Sequence, residues 1–202
     1  MSQREFWISV GSTYSYLTVM RLADAEGKHG IRFDWRPFSV REIMVEMDNI
    51  PFATKPIKAR YMWRDIERRA TMYGFHPKLP APYPLKEFDL ANRVAVLAAS
   101  EGWCRDYITG TYRRWFDDGL PAGQPQNLSA TLTDLGQNPE EVTERALSDE
   151  IGAGYRTATD EARQRGVFGA PSFVVDGELF WGDDRLDDAM AWAKHGSLAR
   201  SG

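Results

Sequence analysis

The sequence has little cysteine: its 202 residues include one, Cys104. That single thiol excludes an internal disulfide, and a reducing cytoplasm is the simplest location to expect. No uninterrupted apolar run approaches the roughly 20 residues that a membrane span requires, and residues 1–5 form no apolar signal region. The net charge of −4 gives no reason to expect nucleic acid or a membrane as a partner. No metal site is predicted either, because the three histidines of the sequence, His29, His76 and His195, lack the spacing of metal ligands.

Strand patterns lie at the two ends of the chain. Residues 5–10 are rich in aromatic and β-branched types, and residues 31–38 alternate apolar with polar side chains, which predicts two strands joined by a helix over 13–28. This β-α-β order is typical of a crossover between parallel strands. Near the C-terminus, residues 172–175 and 178–181 flank Asp176-Gly177 and predict a β-hairpin, after which residues 185–194 predict a helix.

The middle of the chain carries helical patterns instead. Helices are predicted over 57–73, 90–103, 104–117 and 151–165, with a further helix opening at Asn138-Pro139 and loops over 74–87 and 121–127. The first of these helices has one apolar stripe, formed by Ile57, Tyr61, Ile66, Ala70 and Tyr73. The order βαβ, helical block, ββα predicts an α/β, thioredoxin-like fold with a large all-helical insertion. We expect a single domain over 1–202, with a thioredoxin-like part over 1–39 and 166–202 and the insertion over 40–165.

A turn of small residues follows the first predicted strand, where the chain reads Gly11-Ser12-Thr13-Tyr14-Ser15-Tyr16-Leu17. Thioredoxin-like proteins carry a Cys-x-x-Cys motif at this place. Here serine stands at both cysteine positions, Ser12 and Ser15. A serine cannot exchange disulfides, but its hydroxyl can donate a hydrogen bond to a bound thiolate, which would also lie at the positive end of the helix dipole. Two interpretations of Ser12 therefore stand: donor to a thiolate, or N-cap of the helix.

Two further local signals lie in the C-terminal part. The Ala170-Pro171 bond opens a predicted strand opposite the helix start, where a cis proline occurs in this fold. In the other interpretation, Pro171 simply begins a strand. Asp183-Asp184 precedes the last predicted helix, where one aspartate is a routine cap and a pair is less routine. We expect the cis bond at Pro171.

Four segments occur in a consistent order along nearly the whole chain: Gly11 to Leu17, Lys58 to Arg68, Gly166 to Phe173 and Phe180 to Leu186. Together they resemble the 2-hydroxychromene-2-carboxylate isomerase family, which is closely related to kappa-class glutathione transferases within the wider DsbA-like group. One departure is Thr13, because the family usually has proline there. The resemblance implies a single DsbA-like domain, a homodimer and glutathione as the cofactor.

The resemblance also implies roles for particular residues. Ser12 would hold the glutathione thiolate, and Ala170 beside Pro171 would pair with the peptide-like backbone of glutathione as an added strand would. The γ-glutamyl end, whose ammonium needs an acidic partner, would lie on a turn formed by Trp181, Gly182, Asp183 and Asp184.

The substrate side of the site follows from the same resemblance. Asn49, in the segment Asn49-Ile50-Pro51, matches a family segment over the active site that contacts glutathione or substrate. A carboxylate-bearing substrate needs a cation, which Arg41 or Lys58 would supply; the alternative is that both lie on solvated helix faces. Tyr83, in the proline-rich loop over 80–84, would close the pocket.

These features imply a glutathione-dependent cis–trans isomerase that acts on a small aromatic 2-oxo acid of the 2-hydroxychromene-2-carboxylate type. Glutathione thiolate would add to a conjugated carbon, the former double bond would rotate, and elimination would return glutathione. Two alternatives stay open: a kappa-type glutathione transferase or peroxidase that uses the same Ser12, and a cysteine-less thioredoxin-fold module that captures peptides beside Pro171. Binding to immobilised glutathione would separate the module from the enzymes.

Overall fold

Both ends of the chain meet in one mixed β-sheet. The computed structural model describes residues 3–49, 52 and 55–198. Its sheet contains β1 (Arg4–Ile8), β2 (Asp34–Pro37), β3 (Ser172–Val175) and β4 (Glu178–Trp181), in the order β2-β1-β3-β4. β1 pairs in parallel with β2 and antiparallel with β3, and β3 pairs antiparallel with β4. The N-terminal and C-terminal strands therefore form one sheet, as the predicted fold requires.

The connections at the sheet follow from local turn chemistry. α1 (Ser15–His29) crosses from β1 to β2 and ends at Gly30, whose left-handed φ of 65° suits a residue without a side chain. The β3–β4 hairpin turns through Asp176 and Gly177, both with positive φ, as a two-residue type I′ turn requires. After β4, a 3₁₀ turn (Asp183–Arg185) leads into α9 (Leu186–His195). The predicted βαβ and ββα units are thus confirmed.

The chain between β2 and β3 is helical, as predicted. Its helices are α2 (Val40–Glu46), α3 (Pro56–Met72), α4 (Phe88–Glu101), α5 (Cys104–Arg113), α6 (Pro125–Asp134), α7 (Pro139–Ala146) and α8 (Asp149–Gln164). The predicted opening at Asn138 is confirmed, because its side chain accepts hydrogen bonds from the amides of Glu140 and Glu141 at 3.0 and 3.3 Å. α5 passes directly into a wider π-helical segment, Arg114–Asp118.

Two short helices, α2 and α6, are absent from the prediction. The predicted loop over 121–127 ends earlier, because Pro125 at the first position opens α6. α2 has no counterpart in the prediction; the side chain of Ser39 caps it by accepting a hydrogen bond from the Glu42 amide at 3.3 Å. Both errors concern short helices whose apolar periodicity covers too few turns to be distinguished from a loop.

The buried face of α3 also differs from the predicted stripe. Ile57 and Tyr61 are exposed, with relative exposures of 74% and 62%, whereas Met62, Ile66 and Ala70 are buried. The buried stripe therefore runs through positions 62, 66 and 70 at a spacing of about one helical turn. The first two predicted members lie on a neighbouring face.

One hydrophobic core joins the sheet to the helical segment. Trp7 of β1 and Trp115 of the π-helical segment are fully buried in the same cluster. Tyr16 of α1 stacks on Phe116 with 4.2 Å between ring centroids. The two parts of the chain therefore share one core. None of the described helices is long and apolar enough to cross a membrane.

Candidate active site

Ser12 lies in the turn between β1 and α1, but it does not cap the helix. Tyr14 occupies the N-cap position of α1 and makes no side-chain cap bond. The Ser12 hydroxyl instead donates to the carbonyl oxygen of Ala170, with 2.5 Å between the two oxygens. The N-cap interpretation of Ser12 is therefore wrong. The N–H groups of Tyr16 and Leu17 at the start of α1 donate to the carbonyl oxygens of Thr13 and Tyr14 at 3.2 Å each. What α1 offers to an anion at this end is therefore the positive end of its dipole.

Close packing determines the shape of the turn. Gly11 has a φ of 126°, and a side chain there would meet the ring of Phe88 at 2.6 Å, so glycine is required. Thr13 stands at the position of the usual family proline. It is buried, and its hydroxyl donates to the sulfur of Met62 at 2.9 Å. Thr13 thus ties the turn to α3 by a contact that proline could not make.

We call the turn between β1 and α1, residues 9–14, the serine turn. The chain before β3 lies against it. The Ala170–Pro171 peptide bond is cis, as predicted. The Pro171 carbonyl accepts a hydrogen bond from the Gly182 N–H at 2.9 Å, which joins this segment to the end of β4. Gly169 lies directly against the indole of Trp181, and a Cβ at this position would collide with the indole nitrogen. These contacts bring residues 169–171 and 181–182 together beside Ser12.

A cavity of about 330 Å³ opens in front of Ser12, and we call it the serine cavity. Its apolar lining includes Val40, Met44, Phe52, Tyr83, Phe168 and Trp181. Its polar lining includes Ser12, Thr13, Asn49, Lys55 and Lys58. The lining thus combines flat apolar surfaces with two cations, and the described part of the chain contributes no carboxylate to it.

A second cavity of about 270 Å³ adjoins the first, and we call it the acidic cavity. The two cavities share Tyr14, Ala170 and Trp181. The remaining lining of the acidic cavity is Tyr61, Asp65, Arg69, Pro171, Gly182, Asp183 and Asp184. Because three carboxylates and one guanidinium line it, the charge changes from positive at the serine cavity to negative at the acidic cavity.

Asp65 of α3 accepts three hydrogen bonds at the wall of the acidic cavity. The donors are the Tyr14 hydroxyl at 3.0 Å, Arg68 at 3.1 Å and Arg69 at 3.2 Å. Burial disfavours the charged carboxylate, but these hydrogen bonds outweigh burial and hold the pKa of Asp65 below its usual value. Burial and the contact with Asp65 raise the pKa of Tyr14, so this phenol keeps its proton.

Asp183 and Asp184 differ in burial and in partners. Asp183 is 3% exposed and accepts hydrogen bonds from the Thr18 hydroxyl at 2.9 Å and from Arg21 at 3.2 Å. Burial raises the pKa of Asp183, and the ion pair with Arg21 opposes that shift. The Asp184 side chain is 46% exposed and pairs with Arg185 at 3.2 Å. Asp183 is therefore bound to α1, and Asp184 is the more accessible carboxylate. Neither side chain caps α9, whose N-cap is Arg185.

Three residues predicted to hold the substrate, Asn49, Lys58 and Tyr83, line the serine cavity. The ring of Tyr83 packs edge-on against Trp63 with 6.1 Å between centroids. Burial raises the pKa of Tyr83, so the wall that it forms is uncharged. Ile50 and Pro51, the rest of the predicted segment, lie outside the described residues.

Arg41, the other predicted cation, lines neither cavity. Its guanidinium lies over the ring of Phe88, 3.9 Å from the centroid, and donates to the carbonyl oxygen of Leu85 at 3.2 Å. Of the two cations predicted for the substrate, Lys58 therefore lines the serine cavity and Arg41 does not, so we leave Arg41 out of the candidate set.

The sequence interpretation missed Tyr14, Asp65 and Arg69 as parts of the site. Asp65 and Arg69 are four residues apart on α3 and lie next to the buried Ile66 and Ala70. In sequence they are indistinguishable from a series of surface ion pairs. Their position beside the buried stripe is the signal that could have placed them against the protein instead of in solvent.

A larger and more open groove lies between α4, α6 and α7. Its volume is about 770 Å³, and its lining includes Leu90, Leu128 and Leu147. None of the site residues singled out from the sequence lines this groove among the residues that the structure describes. Size alone does not identify a binding site, whereas the serine and acidic cavities gather the candidate polar groups.

The fold and the serine turn define a thioredoxin-like protein in which serines stand where redox cysteines would be. Residues 5–191 match the family described as the DSBA-like thioredoxin domain, and the chain belongs to that family. It is 29% identical over 185 residues to a 2-hydroxychromene-2-carboxylate isomerase of Sphingobium xenophagum, and the match covers 91% of this chain and 93% of the relative. It is 26% identical over 196 residues to glutathione S-transferase kappa 2 of Caenorhabditis elegans, covering 90% and 87%. A solved 2-hydroxychromene-2-carboxylate isomerase has the same fold, with a TM-score of 0.81, 22% identity and coverage of 93% and 94%.

Proposed function

We propose that this protein is a glutathione-dependent cis–trans isomerase of a small aromatic 2-oxo acid of the 2-hydroxychromene-2-carboxylate type. The observation that carries the proposal is the Ser12 hydroxyl, which lines the serine cavity at the start of α1 without capping the helix. The similarity to the Sphingobium xenophagum isomerase, which extends over 91% of this chain, supports the same reaction class.

The charge distribution along the cleft supports one orientation of glutathione. The γ-glutamyl ammonium would meet Asp184 in the acidic cavity, on the turn that contains Trp181 and Gly182. Arg69 lines the same cavity and is suited to the γ-glutamyl carboxylate. The backbone would pass Ala170, which both cavities share, so the thiol would reach the serine cavity.

Ser12 and α1 would lower the pKa of the bound thiol. Free thiols ionise near pH 8.5, and helix N-termini and nearby donors bring cysteine thiols down to about 3.5–7.5. A thiolate is a charged acceptor, so it would compete with the neutral Ala170 carbonyl for the Ser12 proton. A reducing cytoplasm would keep glutathione in the thiol form, and we propose this location for the protein.

The isomerisation requires no redox chemistry from the protein. In the ring-opened form of the substrate, the hemiketal carbon has become a 2-oxo group conjugated to a double bond. The thiolate sulfur would add to the far carbon of that double bond, and the electron pair of the double bond would move onto the 2-oxo group. The resulting single bond would rotate, after which the electron pair would return and expel the thiolate. Lys58 would hold the substrate carboxylate, and the aromatic and aliphatic lining would hold the ring. Substrate and glutathione would then lose their translational and rotational entropy on binding and not in the chemical step.

A kappa-type glutathione transferase is the second candidate, because the similarity to the Caenorhabditis elegans kappa transferase extends over 90% of this chain. It would use the same Ser12 and the same orientation of glutathione, but it would release a conjugate. A halogenated nitroaromatic compound separates the two: a transferase would consume it together with glutathione, and an isomerase would not.

Ser12→Ala tests the proposal. With 2-hydroxychromene-2-carboxylate and glutathione, we expect turnover to fall on the order of 100- to 1,000-fold, as it does when one donor to a developing charge is removed. Ser100→Ala is the control, because the Ser100 hydroxyl also donates to a backbone carbonyl, that of Leu97 at 2.7 Å, and Ser100 lines neither cavity. Unchanged turnover of Ser12→Ala, or wild-type turnover that is independent of glutathione, would contradict the proposal.

A further inference from the structure

Two side chains of the helical segment hold the turn that carries Ser12. The phenolic oxygen of Tyr112, on α5, lies 3.1 Å from the Ser9 carbonyl oxygen and 2.9 Å from the Ser12 carbonyl oxygen. Asn92, on α4, accepts a hydrogen bond from the Val10 N–H at 2.7 Å and donates one to the Val10 carbonyl at 2.8 Å. Within the turn, the Ser12 N–H donates to the Ser9 carbonyl at 3.1 Å. The backbone of the turn is therefore anchored at both ends.

Tyr112 is placed by the core and not by the cavities. It is fully buried, and its ring packs against Trp115 and Phe116 with centroid distances of 5.5 and 6.2 Å. Burial raises the pKa of Tyr112, so its hydroxyl keeps the proton that the two carbonyl oxygens share. Because Tyr112 lines neither cavity, it can affect a ligand only through the turn.

We propose that Tyr112 is a positioning residue for Ser12: it fixes where the side chain at position 12 lies and offsets part of the negative charge on the carbonyl oxygens of the turn. The inference rests on the proposed function, in which Ser12 donates to the glutathione sulfur. The Tyr112 hydroxyl offsets part of the partial negative charge on two carbonyl oxygens of the turn. It also fixes the direction of the Ser12 backbone, and a displacement of about 1 Å in a catalytic group can cost on the order of 100-fold in rate.

α5 contains a matched control for this inference. Tyr107 is also fully buried, and its hydroxyl also donates to a backbone carbonyl, that of Ala91 on α4, at 3.1 Å. Tyr107→Phe removes the same atom from the same helix and breaks the same kind of bond. Its acceptor lies outside the serine turn, so a purely structural role of the tyrosine hydroxyl would affect both variants alike.

The experiment compares Tyr112→Phe with Tyr107→Phe. The pKa of enzyme-bound glutathione is measured from the ultraviolet absorbance of the thiolate against pH, and thermal unfolding is recorded for each variant. We expect Tyr112→Phe to raise the bound-thiol pKa by about 1, which corresponds to the loss of one hydrogen bond. We expect kcat to fall about tenfold with little change in the KM for glutathione. Tyr107→Phe should lower the melting temperature similarly and leave the thiol pKa unchanged; equal effects of both variants on that pKa would overturn the inference.

A second measurement works without glutathione. In a Ser12→Cys background, the pKa of the introduced thiol is obtained from its rate of alkylation by iodoacetamide against pH. Adding Tyr112→Phe should raise this pKa, and adding Tyr107→Phe should not. A shift here, in a protein that does not lower the pKa of glutathione, would refute the proposed function and support the positioning role. No response to Tyr112→Phe in either measurement, together with a large effect of Ser12→Ala on turnover, would refute the positioning role and support the proposed function.

Should Tyr112→Phe fail to fold, replacing Tyr112 with fluorotyrosine tests the positioning role instead. It keeps the ring and the hydroxyl and makes that hydroxyl a stronger donor. The thiol pKa in the Ser12→Cys background should then fall instead of rise, and an unchanged pKa in this variant would overturn the inference.

Discussion

The Ser12 hydroxyl donates to the Ala170 carbonyl oxygen across 2.5 Å, which joins two residues 158 positions apart in the sequence. This bond links the turn before α1 to the segment before β3, so the donor is aimed only when both ends of the chain are folded together. The acceptor is neutral, and a charged acceptor such as a thiolate would form a stronger bond with the same proton. The hydroxyl is therefore held at the edge of the serine cavity by a partner that an anion can replace.

Ser12→Cys tests whether the sulfur of glutathione binds at this turn. The introduced thiol would lie at the start of α1 and ionise readily, so it should attack glutathione disulfide, form a mixed disulfide and release one glutathione. With Ser15 at the second position of the turn, no resolving thiol follows, and the adduct should accumulate. Mass spectrometry should show one added glutathione, which a reductant removes.

The wild-type protein is the control for Ser12→Cys. Its own thiol, Cys104, is buried, and burial raises the pKa of Cys104 to about 12. Cys104 should therefore stay unmodified under the same conditions. A variant that captures no more glutathione than the wild type would show that the sulfur binds elsewhere.

Asp184→Asn should weaken glutathione binding with little change in stability. The substitution keeps the size of the side chain and removes the charge that would meet the γ-glutamyl ammonium. Because the Asp184 side chain is 46% exposed, we expect a loss of about 1 kcal/mol, or roughly a fivefold higher apparent constant for glutathione. The maximal rate should change little, because this contact lies away from the reacting carbon. Steady-state kinetics at varied glutathione concentration measures both quantities.

Asp183→Asn should lower the stability of the protein more than its affinity for glutathione. Asp183 is buried and holds Arg21 of α1. Its loss leaves this cation with the backbone carbonyl of residue 183 at 2.6 Å and, at 3.9 Å, the exposed carboxylate of Asp187. Breaking such a pair costs about 3–5 kcal/mol in free energy of unfolding, which urea titration measures. The apparent constant for glutathione should change less than in Asp184→Asn. A stable Asp183→Asn variant with weak glutathione binding would reverse the roles assigned to the two aspartates.

Much of the fold could be predicted because its signals are local. The Asp176-Gly177 turn and the opening at Asn138 depend on residues that are neighbours in sequence, and the structure confirms both. α2 is short, and its apolar pattern covers too few turns to stand out, so it could not be predicted in the same way.

The site was harder to predict because its geometry depends on distant partners. A serine before a helix has the same sequence pattern whether it caps the helix or turns toward a cavity, and only the contact with Ala170 decides for Ser12. Arg41 and Lys58 likewise look alike in sequence. Arg41 turns to the ring of Phe88, and Lys58 lines the cavity.

Lys58→Met should raise the KM for the carboxylate substrate. It removes the cation and keeps a flexible side chain of similar length, so we expect roughly a tenfold increase, as for the loss of one charge-assisted hydrogen bond. Arg41→Met is the control, since Arg41 lines neither cavity, and its KM should stay near the wild-type value. Equal increases in both variants would indicate a general effect of positive charge instead of a specific contact.

Asp65→Asn should produce a stability difference that depends on pH. Burial disfavours the charge of Asp65, but the hydrogen bonds from Arg68, Tyr14 and Arg69 outweigh it and hold its pKa below the usual 3.8. The unfolded chain therefore binds more protons than the folded protein near this pH. The stabilisation from Asp65 is fully present above 3.8 and is lost as the pH falls through the folded-state value.

Urea unfolding of the wild type and of Asp65→Asn across a pH series measures this difference. At neutral pH we expect the wild type to be more stable by about 1–2 kcal/mol, since several charge-assisted hydrogen bonds are lost in the variant. The difference should disappear in acid, where the wild-type carboxyl also becomes neutral. Glu67→Gln is the control on the same helix: the Arg64–Glu67 pair has side-chain exposures of 64% and 55%, so its loss should change stability by less than about 1 kcal/mol at any pH. A difference for Asp65→Asn that persists unchanged in acid would mean that it arises from altered packing and not from the charge of Asp65.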